Sequence, residues 1–244
     1  MTKQGTEAER TLGAPAVKKQ RIPWRRLQTR SRLLQAAYEV MSTKGVDAAT
    51  IQEITDCAQV GFGTFYNYFK SKDEVAACLL DCIIQDMARR NDLATASFKE
   101  SDPGRVMPVS VRLTLRDAIK DPVWRWWVMR PDLLSDRMRR AFEPFGTRDL
   151  RLAIQAGRYS LLDSAVETTW GIMVWMMVGG LCDVIAGHYP AEHEQYVVEM
   201  ITRVAGASSA LARELSADPL PPYPPPSIDF SFDLSLRELP ESAS

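Results

Sequence analysis

Val60-Gly61-Phe62-Gly63-Thr64-Phe65-Tyr66-Asn67-Tyr68-Phe69-Lys70-Ser71-Lys72-Asp73-Glu74 is a short stretch, glycine-spaced and aromatic, and basic toward its end. Upstream, Thr50-Ile51-Gln52-Glu53 has the form of a capping box, in which a threonine accepts from the first turn and a glutamate three residues on reaches back. Ser71-Lys72-Asp73-Glu74 repeats the pattern. Helices are therefore expected to open at Thr50 and at Ser71, with room between them for a helix of about two turns near residues 61–68. Two short helices joined by a tight turn, the second presenting polar and aromatic groups, form a helix-turn-helix suited to the DNA major groove.

Taken together, Thr50, Ile54, Val60, Gly63-Thr64, Tyr66, Phe69 and Lys72 resemble the DNA-binding domain of TetR-type transcriptional regulators over residues 29–75. The small, aromatic and basic positions all fall in register. Gln59 departs from the glycine usual in that turn, where a positive φ is often needed, so strain is expected there. Thr55 replaces a small alanine. The resemblance implies an all-α chain: an N-terminal three-helix, helix-turn-helix domain and a C-terminal helical body that binds a small molecule and dimerises through its last two long helices.

The 244 residues and 45% hydrophobic content suffice for one large or two smaller cores. The net charge of −1 says little, but its distribution says more. Residues 1–38 hold nine Lys/Arg against two Asp/Glu, a balance of +7, and the rest holds 21 against 29, a balance of −8. A basic end on an acidic body suits an anionic partner at one end. Cys57, Cys78, Cys82 and Cys182 form no Cys-x-x-Cys pair, and reduced thiols in a cytoplasmic protein are the expectation. The uncharged run from Trp170 to Cys182 is 13 residues. A membrane span needs about 20, so a buried helix and no membrane are expected.

Residues 1–28 read as a flexible basic arm, with Lys18, Lys19, Arg21, Arg25 and Arg26 available for the duplex and Pro23-Trp24 delaying helix until about Thr29. Residues 29–72 are the DNA-binding domain. The first helix runs to Lys44, with Leu33, Leu34, Ala37, Val40 and Met41 as its core face and Gly45 as its stop. Residues 73–216 are the body. Its helices are expected near 71–96, 104–120, 122–130, 132–144, 147–158, 162–187 and 191–215. Residues 217–244 are a Pro-rich extended tail.

In the recognition unit, Gly61, Phe62 and Gly63 stand where a second helix first meets base edges, and Phe62 suits a thymine methyl. Its structural alternative is a staple inside the three-helix core. Thr64, Tyr66, Asn67 and Tyr68 offer donors for phosphate, as does Thr50. Lys72 lies at the positive end of the next helix. The resemblance makes Tyr66 and Lys72 the firmest DNA contacts. Phe65 and Phe69 are expected in the core.

In the body, Trp124, Trp127, Trp170, Met173 and Met177 are candidates to line an adaptable apolar pocket, with ordinary core packing as the alternative for each. Arg130, Arg112 or Arg125 would meet an anionic headgroup. Gly171, Trp175, Gly179, Cys182 and Ala186 form a small-residue face suited to a dimer seam. Cys78 and Cys82 lie one turn apart on a buried face, and with only His188 and His193 elsewhere no metal site is expected. No nucleophile–base set, phosphate loop or dinucleotide fingerprint is present in the sequence, so neither catalysis nor a cofactor is expected.

Six prolines within residues 219–226 should hold the chain extended. Ile228, Phe230, Phe232, Leu234 and Leu236 then alternate with polar residues, a period of two that predicts a strand laid on a groove of the dimer and paired with its counterpart. The resulting expectation is a homodimeric regulator, released as a repressor from a palindromic double-stranded operator by a small-molecule effector. Its alternatives are a corepressor-type regulator, or a helical carrier or enzyme with a DNA-reader-like first domain.

Overall fold

The structure is a computed structural model describing residues 24–233. The basic residues Lys18, Lys19 and Arg21 lie outside the described residues, as do Leu234 and Leu236. The described chain is helical, with no strand: α1 Trp24–Lys44, α2 Ile51–Cys57, α3 Phe62–Phe65, α4 Lys72–Ala94, α5 Ala96–Ser101, α6 Val106–Ala118, α7 Pro122–Val128, α8 Pro131–Gln155, α9 Val166–Ile185, α10 Glu194–Val204 and α11 Ser209–Ala217.

The first three helices and the start of α4 make a head around Leu33, Leu34, Met41, Ile54, Phe65 and Phe69, all buried. The capping box at α2 is complete: the Thr50 hydroxyl accepts from the Glu53 amide and the Glu53 carboxylate accepts from the Thr50 amide. At α4 the Ser71 hydroxyl accepts from the Glu74 amide. The Glu74 carboxylate reaches one residue further back, to the Lys70 amide. Gly45 ends α1 at φ 86°.

The chain is already helical at Trp24, the first described residue, and not only from Thr29. The extra turn gains local partners, since the Thr29 hydroxyl donates to the Arg25 carbonyl and Arg26 lies over the Tyr68 ring. Arg25 and Arg26 therefore project from a helix and not from a flexible arm. The expected two-turn helix at 61–68 shortens to α3, followed by tight turns in which Tyr68 and Phe69 both donate to the Phe65 carbonyl.

The body is a bundle of packed helices whose core is continuous with that of the head. Helices expected at 132–144 and 147–158 are the single α8, which runs through Pro144. Proline removes one backbone donor. Here apolar burial on both sides, Leu134, Met138 and Phe142 before and Leu150 and Ala153 after, outweighs that loss. The expected last helix, 191–215, divides into α10 and α11 at Gly206, whose φ of +100° admits glycine and whose carbonyl accepts from the Ser160 amide. The segment Asp163–Ile185 has the length and apolar composition of a membrane span, with a mean hydropathy of 1.4. It packs here against α7, α8 and α10, burying Trp170, Met173, Val174, Met177 and Leu181.

Candidate nucleic-acid interface and small-molecule cavity

The turn between α2 and α3 is built tightly. Gln59 adopts φ 53°, the left-handed region expected of it, and carries that strain without a glycine. The Val60 amide donates to the Thr55 carbonyl, and Arg32 of α1 donates to the Ala58 carbonyl at 2.5 Å. Thr55 is fully buried and satisfies its hydroxyl on the Gln52 carbonyl at 2.9 Å.

Beyond that turn, Gly61, Phe62, Gly63, Tyr66 and Asn67 are exposed and Thr64 and Tyr68 are half-buried. Phe62 is 46% and Tyr66 53% exposed, and the two rings meet edge to face at 5.7 Å. Phe65 and Phe69 take the opposite, buried side. Phe62 is thus no staple of the core. Arg25 and Arg26 of α1 border the same face and form a shallow basic concavity with Thr29, Asn67 and Tyr68.

Two expected contacts are occupied within the head. The Thr50 hydroxyl serves the capping box. The Lys72 ammonium donates to the carbonyls of Asp47 and Ala49, at 2.7 and 2.9 Å, and so fastens the loop before α2 to the first turn of α4. That loop is also gripped from the body, where the Trp126 indole donates to the Asp47 carboxylate at 2.6 Å.

A second site lies in the body, among the far end of α4 and α6, α8 and α9. Its walls are Met107, Phe142, Phe145, Trp170, Met173 and Met177, and its polar groups are Asn91, Asp92, Ser110, Thr114 and Asp149. The cavity volume is about 40 Å³, against about 10–15 Å³ for one water, so the cavity is narrow. The Asn91 amide donates to the Thr114 hydroxyl at 2.8 Å, while the Asn91 Oδ1 is buried with no partner. Burial pushes the Asp149 carboxyl up from its ordinary value, against the pull of the Arg148 guanidinium hydrogen-bonded to it. Asp92 shifts the other way: burial raises it, but hydrogen bonds from Lys99 and Arg148 together hold it below the usual carboxylate range.

Of the residues expected to line a pocket, Trp170, Met173 and Met177 do so. Trp124 and Trp127 do not: both are buried in the core formed with α7, where their indole N–H groups have no partner. Arg130 does not either, because its guanidinium lies over the Trp126 ring at 3.6 Å and donates to the Trp126 carbonyl. Arg112 is buried against Glu194. Sequence reasoning missed Asn91, Asp149, Phe142 and Phe145, and no local pattern separates Asn91 and Asp92 from the other polar residues of α4.

Known proteins match both parts of this arrangement. Residues 33–78 match the model of bacterial regulatory proteins of the tetR family, and residues 102–218 match that of a tetracyclin repressor-like C-terminal domain. YvdT of Bacillus subtilis (strain 168), an uncharacterized HTH-type transcriptional regulator, is 42% identical over 53 residues. That match covers 22% of this chain and 27% of YvdT, so it spans only about a quarter of the curated relative. The crystal structure of RolR in complex with resorcinol superposes with a TM-score of 0.74 at 26% identity, covering 82% of this chain and 98% of RolR. The FadR structure from Bacillus subtilis, in complex with stearoyl-CoA, shares the fold at a TM-score of 0.51 and 17% identity, over 70% of this chain and 96% of that one. With a helix-turn-helix head, a helical body and family matches over both, the chain belongs to the TetR family of transcriptional regulators.

Proposed function

We propose that this chain is a ligand-responsive DNA-binding regulator, a repressor that a small molecule releases from its operator. The observation that carries this reading is the course of α4. Its first residue, Lys72, holds the loop that precedes α2 in the head, and its far end places Ala88, Asn91 and Asp92 in the wall of the cavity. Anything that enters the narrow cavity must push its walls apart, and α4 is the wall that continues into the head. A ligand that favours one α4 position shifts the population of head orientations.

The head's part is to present Phe62 and the Gly61 and Gly63 backbone to base edges. Arg25, Arg26, Thr64, Tyr66, Asn67 and Tyr68 face phosphate, and Lys72 acts mainly by positioning the head. The division that suits this is a head ending at residue 72, a body over 73–216 and a tail beyond. The effector is a small, flat, mainly apolar molecule that donates a hydrogen bond to Asn91 Oδ1; the resorcinol held by RolR is of that kind.

The same reading includes a homodimer. Ile172 and Trp175 of α9 and Tyr196, Met200 and Val204 of α10 are exposed apolar residues on neighbouring helices. Two copies joined through this face present two recognition helices to a palindromic operator. The protein then works in the cytoplasm and has no catalytic task.

Genomic footprinting with purified protein tests the DNA half, and thermal-shift measurements with hydroxylated single-ring aromatics, resorcinol first, test the ligand half. A salt-dependent palindromic footprint that a stabilising compound weakens is the expected result. No specific footprint at any salt concentration refutes the regulator reading, and a footprint strengthened by the compound replaces repression relief with corepression.

A further inference from the structure

The end of the described chain carries an arrangement that the proposed function does not use. After α11, the Asp218 carboxylate accepts from Arg105 at 2.8 Å and its carbonyl accepts from Arg112, which anchors the tail on the body. The proline-rich stretch then crosses α4. Arg90 lies over the Tyr223 ring at 4.5 Å, the Ser227 amide donates to Asp86 at 3.2 Å, and Arg89 donates to the Ser227 carbonyl at 2.9 Å. The last described residues of the tail lie on the head. Phe230 meets Tyr38 of α1 at 5.8 Å between ring centres. Arg30 of α1 donates to the Phe232 carbonyl at 3.3 Å and pairs with Asp233 at 3.2 Å.

The expected strand is not formed over the described residues. Phe232 donates to the Asp229 carbonyl at 3.2 Å, and the Asp229 carboxylate accepts from the Ser231 amide, so the segment turns. Ile228, Phe230 and Phe232 nonetheless pack against the core of the same chain. The alternation thus located the face that is buried, while the backbone satisfies itself in a turn and on side chains of α1 and α4.

We propose that residues 219–233 are a strap fastening the DNA-binding head to the body, so that α1 and α4 keep a fixed mutual angle. Proline suits this task. A stiff, extended segment loses little freedom when it docks, so most of the binding free energy of the apolar end is retained. The anchors fall on three different places, the body at Arg105 and Arg112, α4 at Asp86 and Arg90, and α1 at Arg30 and Tyr38. A tail that merely covered apolar surface would not need the ionic contact with α1.

Amide hydrogen exchange on the protein without DNA or ligand tests the strap independently of the regulator reading. One variant ends at Asp218. The second keeps the full chain and carries Ile228→Asp with Phe230→Asp, both on the tail, so that head and body sequences are untouched. The expected result in both is exchange about tenfold faster in α1 and the first half of α4, with α9 and α10 unchanged. Unchanged exchange in α1 in either variant overturns the proposal. So does an equal acceleration in α9 and α10, which reports lost overall stability and not a released head.

Discussion

Gly146→Ala is the substitution that probes the cavity wall most directly. An added Cβ at Gly146 in α8 would stand 2.3 Å from Cζ3 of Trp170, with the next two ring atoms at 2.5 and 2.6 Å. Ordinary contact therefore requires the ring to move by about 1 Å. Trp170 is 5% exposed and its indole donates to the Arg139 carbonyl at 3.3 Å, so it is held on its far side. The ring lines the cavity, where the free room is about 40 Å³, so a shift of this size encroaches on that room. Replacing a mid-helix glycine by alanine favours the helix by about 1 kcal/mol, and overpacking of this kind costs about 1–3 kcal/mol. The net expectation is a loss of up to about 2 kcal/mol, a fall in Tm of a few degrees for a domain of this size. Scanning calorimetry measures it. The displaced ring also fills the cavity, so any compound that stabilises the parent should stabilise the variant at least tenfold less tightly. A variant that melts at or above the parent temperature and binds that compound equally well refutes the packing argument.

Four further outcomes are expected. Phe62→Ala should leave the melting temperature within experimental error and relax sequence preference at one operator position by about 1–3 kcal/mol in competition binding; unfolding of the head would place Phe62 in the core after all. Lys72→Ala should destabilise the head by about 1.5–3 kcal/mol through loss of its two carbonyl partners, read by thermal melting without DNA, and an unchanged melt would leave phosphate contact as its role. Gln59→Gly should stabilise by up to about 1 kcal/mol, because glycine adopts the observed φ without strain, and a loss of stability would show that the side chain contributes. The Glu53 carboxyl is held down to about 2, first by the Lys44 hydrogen bond and then by Thr50. A depressed carboxylate stabilises above its unfolded value of about 4.5, and that contribution is lost as pH falls from there toward 2. Helicity melts should therefore lose stability over that window, and Glu53→Gln should remove this part of the pH dependence; an identical profile in the variant would count against it.

How far the sequence reveals the molecule depends on whether a feature is local. The capping box at Thr50, the stop at Gly45 and the strained Gln59 are decided by residues within a turn of one another, and each is found where the sequence puts it. Pro144 misled because a proline's local effect is real, yet a helix with apolar faces on both sides of it persists. Gly206 broke a helix that periodicity alone continues, since only its pairing with Ser160 reveals the turn. The tryptophans teach the same lesson. Trp124, Trp127 and Trp170 are alike in the sequence, and what separates a core ring from a cavity wall is which helices close over it. Asn91 and Asp149 were overlooked because their polarity matters only once three other helices surround them.

The buried polar groups along α4 have a consequence for how the molecule responds. Asp81, Asp86, Arg90 and Asn91 are all at least nine-tenths buried; Arg90 and Asp86 pair with each other along the helix, and the set also reaches Arg137 of α8, Asp117 and Thr114 of α6, and Ser227 of the tail. An apolar helix can slide over its neighbours by any small amount. This one engages them like a key in its wards, because leaving a buried charge without its partner costs about 3–5 kcal/mol. Small displacements are therefore resisted, and a larger one that re-pairs the groups is met as a separate setting. Occupancy of the cavity should register as an on-or-off change in the head, not as a tilt that grows with the bulk of the guest. A series of guests of increasing size, followed by NMR shifts in α2 and α3, should show two fixed sets of peaks with changing populations. Peaks that drift continuously with guest size would refute it.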